Sequence, residues 1–266
     1  MPNVVLTVDC EGAMHDRCYS AEYIRVLEAE FVPCTWLIHV SMKDPSANTN
    51  LYYHEFVHKI PNWHEVGMKV NFENERGYIE DAKERGKVLW IAKDTLKSHM
   101  IKATAFRAGG FALQASDVPY LEEIGILSDS SVVPDSDYKM FVDWTGAPKN
   151  PYHSNSDDLR RTGSNRMLHL PIATHNGKNG YLDLGWEGIK DLIDANMDRE
   201  VITLGMRDYY DSVGVLEKVI RHFRARGAHF TTMTQAASEH YEHHEARLVA
   251  LECSVSEVCL LCSASK

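Results

Sequence analysis

The chain has 266 residues, a length that suits one large α/β domain and is ordinary for a barrel. Hydrophobic residues make up 44% and charged residues 25% of it, the globular average, which argues against a disordered chain. Lys plus Arg number 28 against 38 Asp plus Glu, a formal charge of −10; this argues against non-specific binding of nucleic acid or of an anionic membrane. No apolar run reaches the roughly 18 residues that a spanning helix needs. The start, Met1 to Asp9, has no basic n-region and reads directly as a strand, so the expectation is a cytoplasmic protein or one whose signal lies outside this sequence. Six cysteines are too few for a disulfide scaffold. Cys259 and Cys262 have CxxC spacing in an apolar tail without a second pair, which reads as tail packing before metal or redox chemistry.

In chain order, a first strand is predicted over residues 4–10. A helix follows over 21–31, with Ile24, Leu27 and Phe31 on one face, then strands over 34–40 and 64–71. A long helix over 78–100 carries Ile79, Ala82, Leu89, Ile91, Ala92 and Leu96, and leads to a strand over 104–108. A short helix over 116–124 has Ser116 as N-cap, Pro119 in its first turn and a stop at Gly125. Further strands are expected over 127–132, 167–173, 201–206 and 229–233, with helices over 185–195 and 213–226, the latter ending at Gly227. Strand–helix alternation repeated about seven times predicts a parallel sheet covered by helices. An open doubly wound sheet and a closed barrel both fit, and the count favours the barrel. Residues 134–165, rich in Pro, Gly, Ser, Asp and Asn, read as an insertion over one end of the sheet. The organisation expected is a single domain over 1–245 and a tail over 246–266.

Strand side chains alternate between faces, so parity sorts the charges. Thr7, Asp9 and Glu11 share a face opposite Val4, Leu6 and Val8. Thr35, Leu37 and His39 align, as do Gly67, Lys69 and Asn71, and Ala105 and Arg107. Asp129 aligns with Ser131, and Thr203 and Gly205 with Arg207. Strand C-termini in a parallel fold meet at one rim, where active sites sit. The expectation is that Asp9, Glu11, Lys69, Arg107, Asp129 and Arg207 share one mouth. Charges at strand ends also simply solvate a rim or form a structural ion-pair network, and parity alone does not separate these readings.

The string Leu6-Thr7-Val8-Asp9-Cys10-Glu11-Gly12 resembles the first motif of the NodB-homology polysaccharide deacetylases, carbohydrate esterase family four. His64-Glu65-Val66-Gly67-Met68-Lys69-Val70-Asn71 resembles the second, and Phe106-Arg107-Ala108-Gly109-Gly110 the third. Asp129-Ser130-Ser131, Leu170-Pro171-Ile172 and Thr203-Leu204-Gly205-Met206-Arg207 stand where later motifs belong. The ordered set covers about residues 4–235. It implies a distorted (β/α)7 barrel of the NodB-homology type. It also implies a divalent metal held by an Asp and two His. The His positions hold Lys69 and Asn71 or Glu73, and the His near the end of the seventh strand is Arg207. Lys and Arg are cationic and offer no lone pair, so no metal ligand is assigned.

The expectation for chemistry is hydrolysis of a C–N bond, amide or ureide, on a small polar substrate such as an N-acetylated sugar intermediate. Asp9 is the expected base with Glu11 assisting, Arg107 orienting it, and Lys69 and Arg207 replacing the metal as oxyanion donors. The cationic pair also suits an anionic group on the substrate. The alternative is a non-hydrolytic barrel: a silent binding protein with Lys69 and Arg207 salt-bridged to Asp9 and Glu11, or a sugar lyase or isomerase using Lys69 as a Schiff base. His39, Asn71, Asp129, His175, Asp208 and Tyr209 are candidate substrate contacts. His240, His243 and His244 read as a solvated helix face. The partner expected is a small molecule, with no nucleic acid and no membrane, and homo-oligomerisation is left open.

Overall fold

A computed structural model describes residues 1–15, 17–40 and 45–242 of the chain. Cys259, Cys262, His243, His244 and the expected tail lie outside the described residues. Strand β1 (Asn3–Cys10) leads through helix α1 (Ser20–Ala29) to β2 (Thr35–His39), α2 (Asn50–Glu55) and β3 (Glu65–Val70). A hairpin of β4 (Glu73–Asn74) and β5 (Gly77–Tyr78) precedes α3 (Ala82–Ser98), β6 (Ala105–Ala108), α4 (Val118–Glu123) and β7 (Ser128–Asp129). Next come β8 (Tyr152–His153), β9 (Leu168–His169) and a hairpin of β10 (Thr174–His175) and β11 (Lys178–Asn179). The chain continues as α5 (Gly185–Asp194), β12 (Val201–Arg207), α6 (Val213–Arg224) and β13 (His229–Thr231).

The main sheet runs β12-β1-β2-β3-β6-β7-β9-β8, with β13 also paired to β1. All its pairs are parallel except β8 with β9. The sheet curls until single bridges, Ile172 to Thr203 and Tyr181 to Gly205, join its far side to β12. The result is the distorted barrel that the motif order implied. Strands expected over 127–132 and 167–173 shrink to two paired residues each. The long helix starts at Ala82, not 78, because Asp81 caps it by accepting from the Glu84 N–H at 2.9 Å and residues 73–78 turn back as the hairpin.

Two apolar layers follow from strand parity. Val4, Leu6, Val8, Trp36, Ile38, Met68, Val70 and Phe106 face the helices. Val5, Leu37, Ala105, Leu168, Leu170 and Met233 fill the barrel interior. The interior is narrow: a side chain at Gly67 would meet Leu37 Cδ2 and the Ala105 carbonyl at 2.9 Å. Polar inward positions are interleaved with this plug, with Thr7, Thr35, Thr203, Ser128 and Ser130 all buried. Thr7 donates to the Leu204 carbonyl at 2.9 Å and Thr35 to Glu65 at 2.7 Å, whereas Ser128 Oγ and Thr203 Oγ1 are buried without a partner among the described residues. Of these, Thr7 and Ser130 meet Arg107 and stand directly beneath the strand-end charges.

Arg85 ties α3 to the segment before α4. It is fully buried with Asp117. Its guanidinium also donates to the Tyr78 hydroxyl at 2.8 Å and the Ala112 carbonyl at 2.6 Å, and lies 3.5 Å over the Phe72 ring. Arg85→Leu leaves the Asp117 carboxylate buried without its cation. The expected loss is about 3–5 kcal/mol, read as a lower urea midpoint with an unchanged slope.

Candidate active site at the barrel mouth

Asp9 is the penultimate residue of β1 and is buried. Its Oδ1 accepts from Arg107 Nη1 at 2.7 Å. Its Oδ2 accepts from the Tyr181 hydroxyl at 2.9 Å and lies 2.9 Å from Lys69 Nζ. Lys69 Nζ also lies 3.0 Å from Glu11 Oε1, so one ammonium bridges the two acids. Register explains the meeting. Lys69 pairs with Arg107 across β3 and β6, and β2 between β1 and β3 presents Leu37 and His39 on the same face. Curling of the sheet then carries Lys69 and Arg107 over the interior to Asp9. Arg107 is braced further by Thr7 Oγ1 at 2.8 Å and by Ser130 at 3.1 Å from its hydroxyl and 3.2 Å from its carbonyl.

The electrostatics follow from this packing. Burial works to raise the Asp9 carboxyl, but Lys69 and Arg107 outweigh it and hold it well below the usual carboxylate range. Burial works to lower the Lys69 ammonium, but Asp9 and Glu11 hold it above its ordinary value. Burial pushes the Tyr181 hydroxyl up, so it stays a donor. Asp9, Lys69 and Tyr181 are thus each fixed in one protonation state near neutral pH.

Arg207 shares register with Asp9, yet its guanidinium turns to Asp183 and stacks 4.3 Å from the centre of the Tyr181 ring. It therefore forms a second ion pair at the rim instead of joining the acids. Tyr181 is the residue that sequence reasoning missed. It lies flat across Gly205, where a side chain would meet the ring at 2.6 Å. That close approach, absent from any motif, lets its hydroxyl reach Asp9. Asp183 was missed for the same reason: it lies in the turn after Tyr181, not on a strand.

The other candidates are placed as follows. His39 is fully buried at the end of β2, in register with Lys69. The Asn71 side chain packs on Gly109, whose missing Cβ would fall 1.6 Å from Asn71 Oδ1. Tyr209 is at the rim, stacked on His15 with ring centres 3.8 Å apart. Its hydroxyl is pushed up by burial and feels Arg207, Glu11 and Lys69. Tyr138, exposed, feels Arg207 and Lys69 and meets Phe111 edge-on. His175 sits on the β10–β11 hairpin beside Asn176 and has no contact with the ion-pair cluster among the described residues.

Two residues depart from the expected mouth. Asp129 pairs in register with Phe106, which puts Ser128 and Ser130, not Asp129, on the inward face. Asp129 instead meets His169 Nδ1 at 2.9 Å, and His169 Nε2 meets Ser154 Oγ at 2.8 Å. The order matches a nucleophilic triad, but all three side chains are fully buried. Their role is to tie β8 and the insertion to β7 and β9. Asp208, one residue beyond Arg207, turns away from the mouth. It accepts from the Glu11 N–H at 2.8 Å and from Ser20 at 3.3 Å, bracing the end of β1. Burial pushes it up to about 6 despite those donors.

The divalent ion implied by the motif resemblance does not fit this donor set. Lys69 stands between the acids with no lone pair to give, and no group of three or more metal-ligating side chains forms among the described residues. His in place of that ammonium would put an imidazole beside the two acids. Lys69→His is expected to bind zinc by calorimetry at concentrations where the wild-type chain gives no heat. Lys69→Met instead leaves Glu11 without its cation and Asp9 with Arg107 alone, and is expected to lose about 3–5 kcal/mol at pH 7. The sign with pH is definite. Asp9 has a lowered folded pKa, so its contribution is complete above its ordinary value and drains as pH falls through the folded one. Without Lys69 that lowering weakens and protonation relieves the variant. Urea titrations from pH 7 downward should show the gap between wild type and Lys69→Met narrowing.

No family model and no curated protein sequence matches the chain. Solved structures do match. One, described as that of a polysaccharide deacetylase from Mycobacterium smegmatis, is 14% identical with a TM-score of 0.57, covering 91% of each chain. A mutant of the peptidoglycan deacetylase PdaC from Bacillus subtilis is 13% identical with a TM-score of 0.53, over 92% of this chain and 96% of that one. A carbohydrate esterase family four pseudoenzyme from Bacillus anthracis is 10% identical with a TM-score of 0.55, over 89% of this chain and 66% of that one. The chain therefore has the fold of the NodB-homology polysaccharide deacetylases, a fold shared by enzymes and by a pseudoenzyme.

Proposed function

We propose that the mouth binds a polar carbohydrate and does not hydrolyse it with Asp9 as base. The observation that carries this reading is the saturation of Asp9. A general base needs a free lone pair and a pKa near the working pH. Asp9 gives its two oxygens to Arg107, Lys69 and Tyr181 inside a buried cluster and is held well below the carboxylate range. A Schiff-base role for Lys69 fails on similar grounds, because a nucleophilic amine must lose its proton and Asp9 and Glu11 hold that proton on. What remains open to a ligand is the rim. Arg207, Asp183 and Glu11 are partly exposed there, next to the rings of Tyr138 and Tyr209. Charged hydrogen-bonding groups beside aromatic faces suit a sugar, which is polar at its hydroxyls and apolar on its ring faces. The solved structures of this fold described as deacetylases supply the carbohydrate class.

One observation favours a second reading, metal-free hydrolysis of an N-acyl or ureide C–N bond. Glu11 reaches the rim while its Oε1 stays 3.0 Å from Lys69, which pairs an acid that meets solvent with a cation able to face an oxyanion. Calorimetry and acetate assay on the full chain with N-acetylated chito-oligosaccharides separate the two. The proposal expects binding, weakened about tenfold in Arg207→Ala or Tyr209→Ala, a loss of about 1.4 kcal/mol, with no acetate released. Acetate release that disappears in Glu11→Gln would establish the hydrolytic reading. Neither binding nor release from any N-acylated sugar would end both.

A further inference from the structure

Away from the mouth, near the N-terminal ends of β6 and β7, the molecule carries a cavity of about 450 Å³ between the end of α3 and the turn after α4. Its floor is apolar: Met68, Leu96, Ile124 and Ile126 are buried side chains that line it. Met68 points there because it has the opposite parity to Lys69. Three lysines, Lys93, Lys97 and Lys102, stand around the opening. None of them forms an ion pair among the described residues. Lys93 lies 4.2 Å over the Trp90 ring, which leaves Lys97 and Lys102 as the ammonium groups at the hollow with no charged or aromatic partner among the described residues, in a chain of net charge −10.

The bland explanation covers only part of this. Lys97 in the last turn of α3 suits the helix dipole, and lysine stems do cover apolar surface. The helix dipole does not account for Lys102, which lies beyond the helix, and neither explanation accounts for an apolar hollow of this size left unfilled by the described side chains. Met100, at the rim, is 90% exposed in the left-handed region at φ 61. This position after a helix usually falls to glycine, and here it sets a flexible apolar side chain beside the opening.

We infer that this cavity is a binding site for a single-chain amphiphilic anion, a fatty carboxylate whose hydrocarbon body lies on Met68, Leu96, Ile124 and Ile126 and whose head meets Lys97 and Lys102. The volume falls within the range of small-ligand pockets, about 300–1,000 Å³, where apolar walls supply affinity and a few polar groups fix orientation. The concave floor and the acidic remainder of the surface favour one enclosed chain over contact with an anionic bilayer.

The test is calorimetric titration of the full chain with dodecanoate below its micelle concentration, beside dodecyl maltoside as a neutral chain and anionic lipid vesicles as a surface. The inference expects saturable one-to-one binding of dodecanoate, at least about tenfold tighter than the neutral amphiphile. Binding should weaken about tenfold in the Lys97→Gln, Lys102→Gln double variant. Ala103→Trp, which projects into the hollow, should abolish it with an unchanged melting curve. If Ala103→Trp fails to fold, the lysine variant still decides, since both of its sites are exposed. Equal affinity for neutral and anionic chains, wild-type affinity in the lysine variant, or binding to vesicles but not to free dodecanoate would each overturn the site.

Discussion

The molecule is organised around the contact of Lys69 with Asp9 and Glu11. Two carboxylates from one strand end cannot both be ionised in a dry barrel without a cation between them, and a cation cannot be buried there without the carboxylates. The cluster contains Asp9, Lys69 and Arg107 almost wholly inside the protein, with Glu11 reaching solvent. Burying these charges is tolerated because every one is met at hydrogen-bond distance and Thr7 and Ser130 accept from Arg107 beneath them. The small inward residues Thr7, Gly67, Ala105 and Gly205 are a condition of this arrangement, since bulkier ones would lift the charges out of reach.

That saturation has a functional consequence. A site that keeps a carboxylate ready for proton transfer leaves it partly unsatisfied, and one that binds a metal presents lone pairs. This mouth does neither at Asp9. The Arg107–Asp9 pair holds its geometry, while Lys69 occupies the space between the acids. The chemistry left to the rim belongs to Glu11, Arg207, Asp183 and the tyrosines around them, groups suited to holding a polar ligand.

The insertion and the barrel are joined by a different polar chain. Ser154, His169 and Asp129 form a buried relay between β8, β9 and β7, and Trp144 donates to the Phe111 carbonyl at 3.1 Å. Residues 134–165 are thereby fixed to the sheet instead of standing off it, which brings Tyr138 beside Phe111 and over the mouth. The two ends of the barrel differ in character: an ion-pair cluster with aromatic walls at the strand C-termini, and an apolar hollow with a lysine rim near the N-termini of β6 and β7.

By itself the sequence determined the alternation of strands and helices, the order of the strands' motifs and the inward parity of Asp9, Lys69, Arg107 and Arg207. Those follow from the period of two in a strand and from caps such as Asp81, which act locally. It did not determine the side on which Asp129 lies, because a two-residue strand has too little pattern to set its own register and takes it from Phe106. Nor did it show that Arg207 would choose Asp183, that Asp208 would fold back on the Glu11 N–H, or that Tyr181 would lie on Gly205 and reach Asp9. Each of these is a choice among several nearby partners of suitable charge or shape. Only the curl of the sheet, which sets distances between residues far apart in the chain, decides which partner is met.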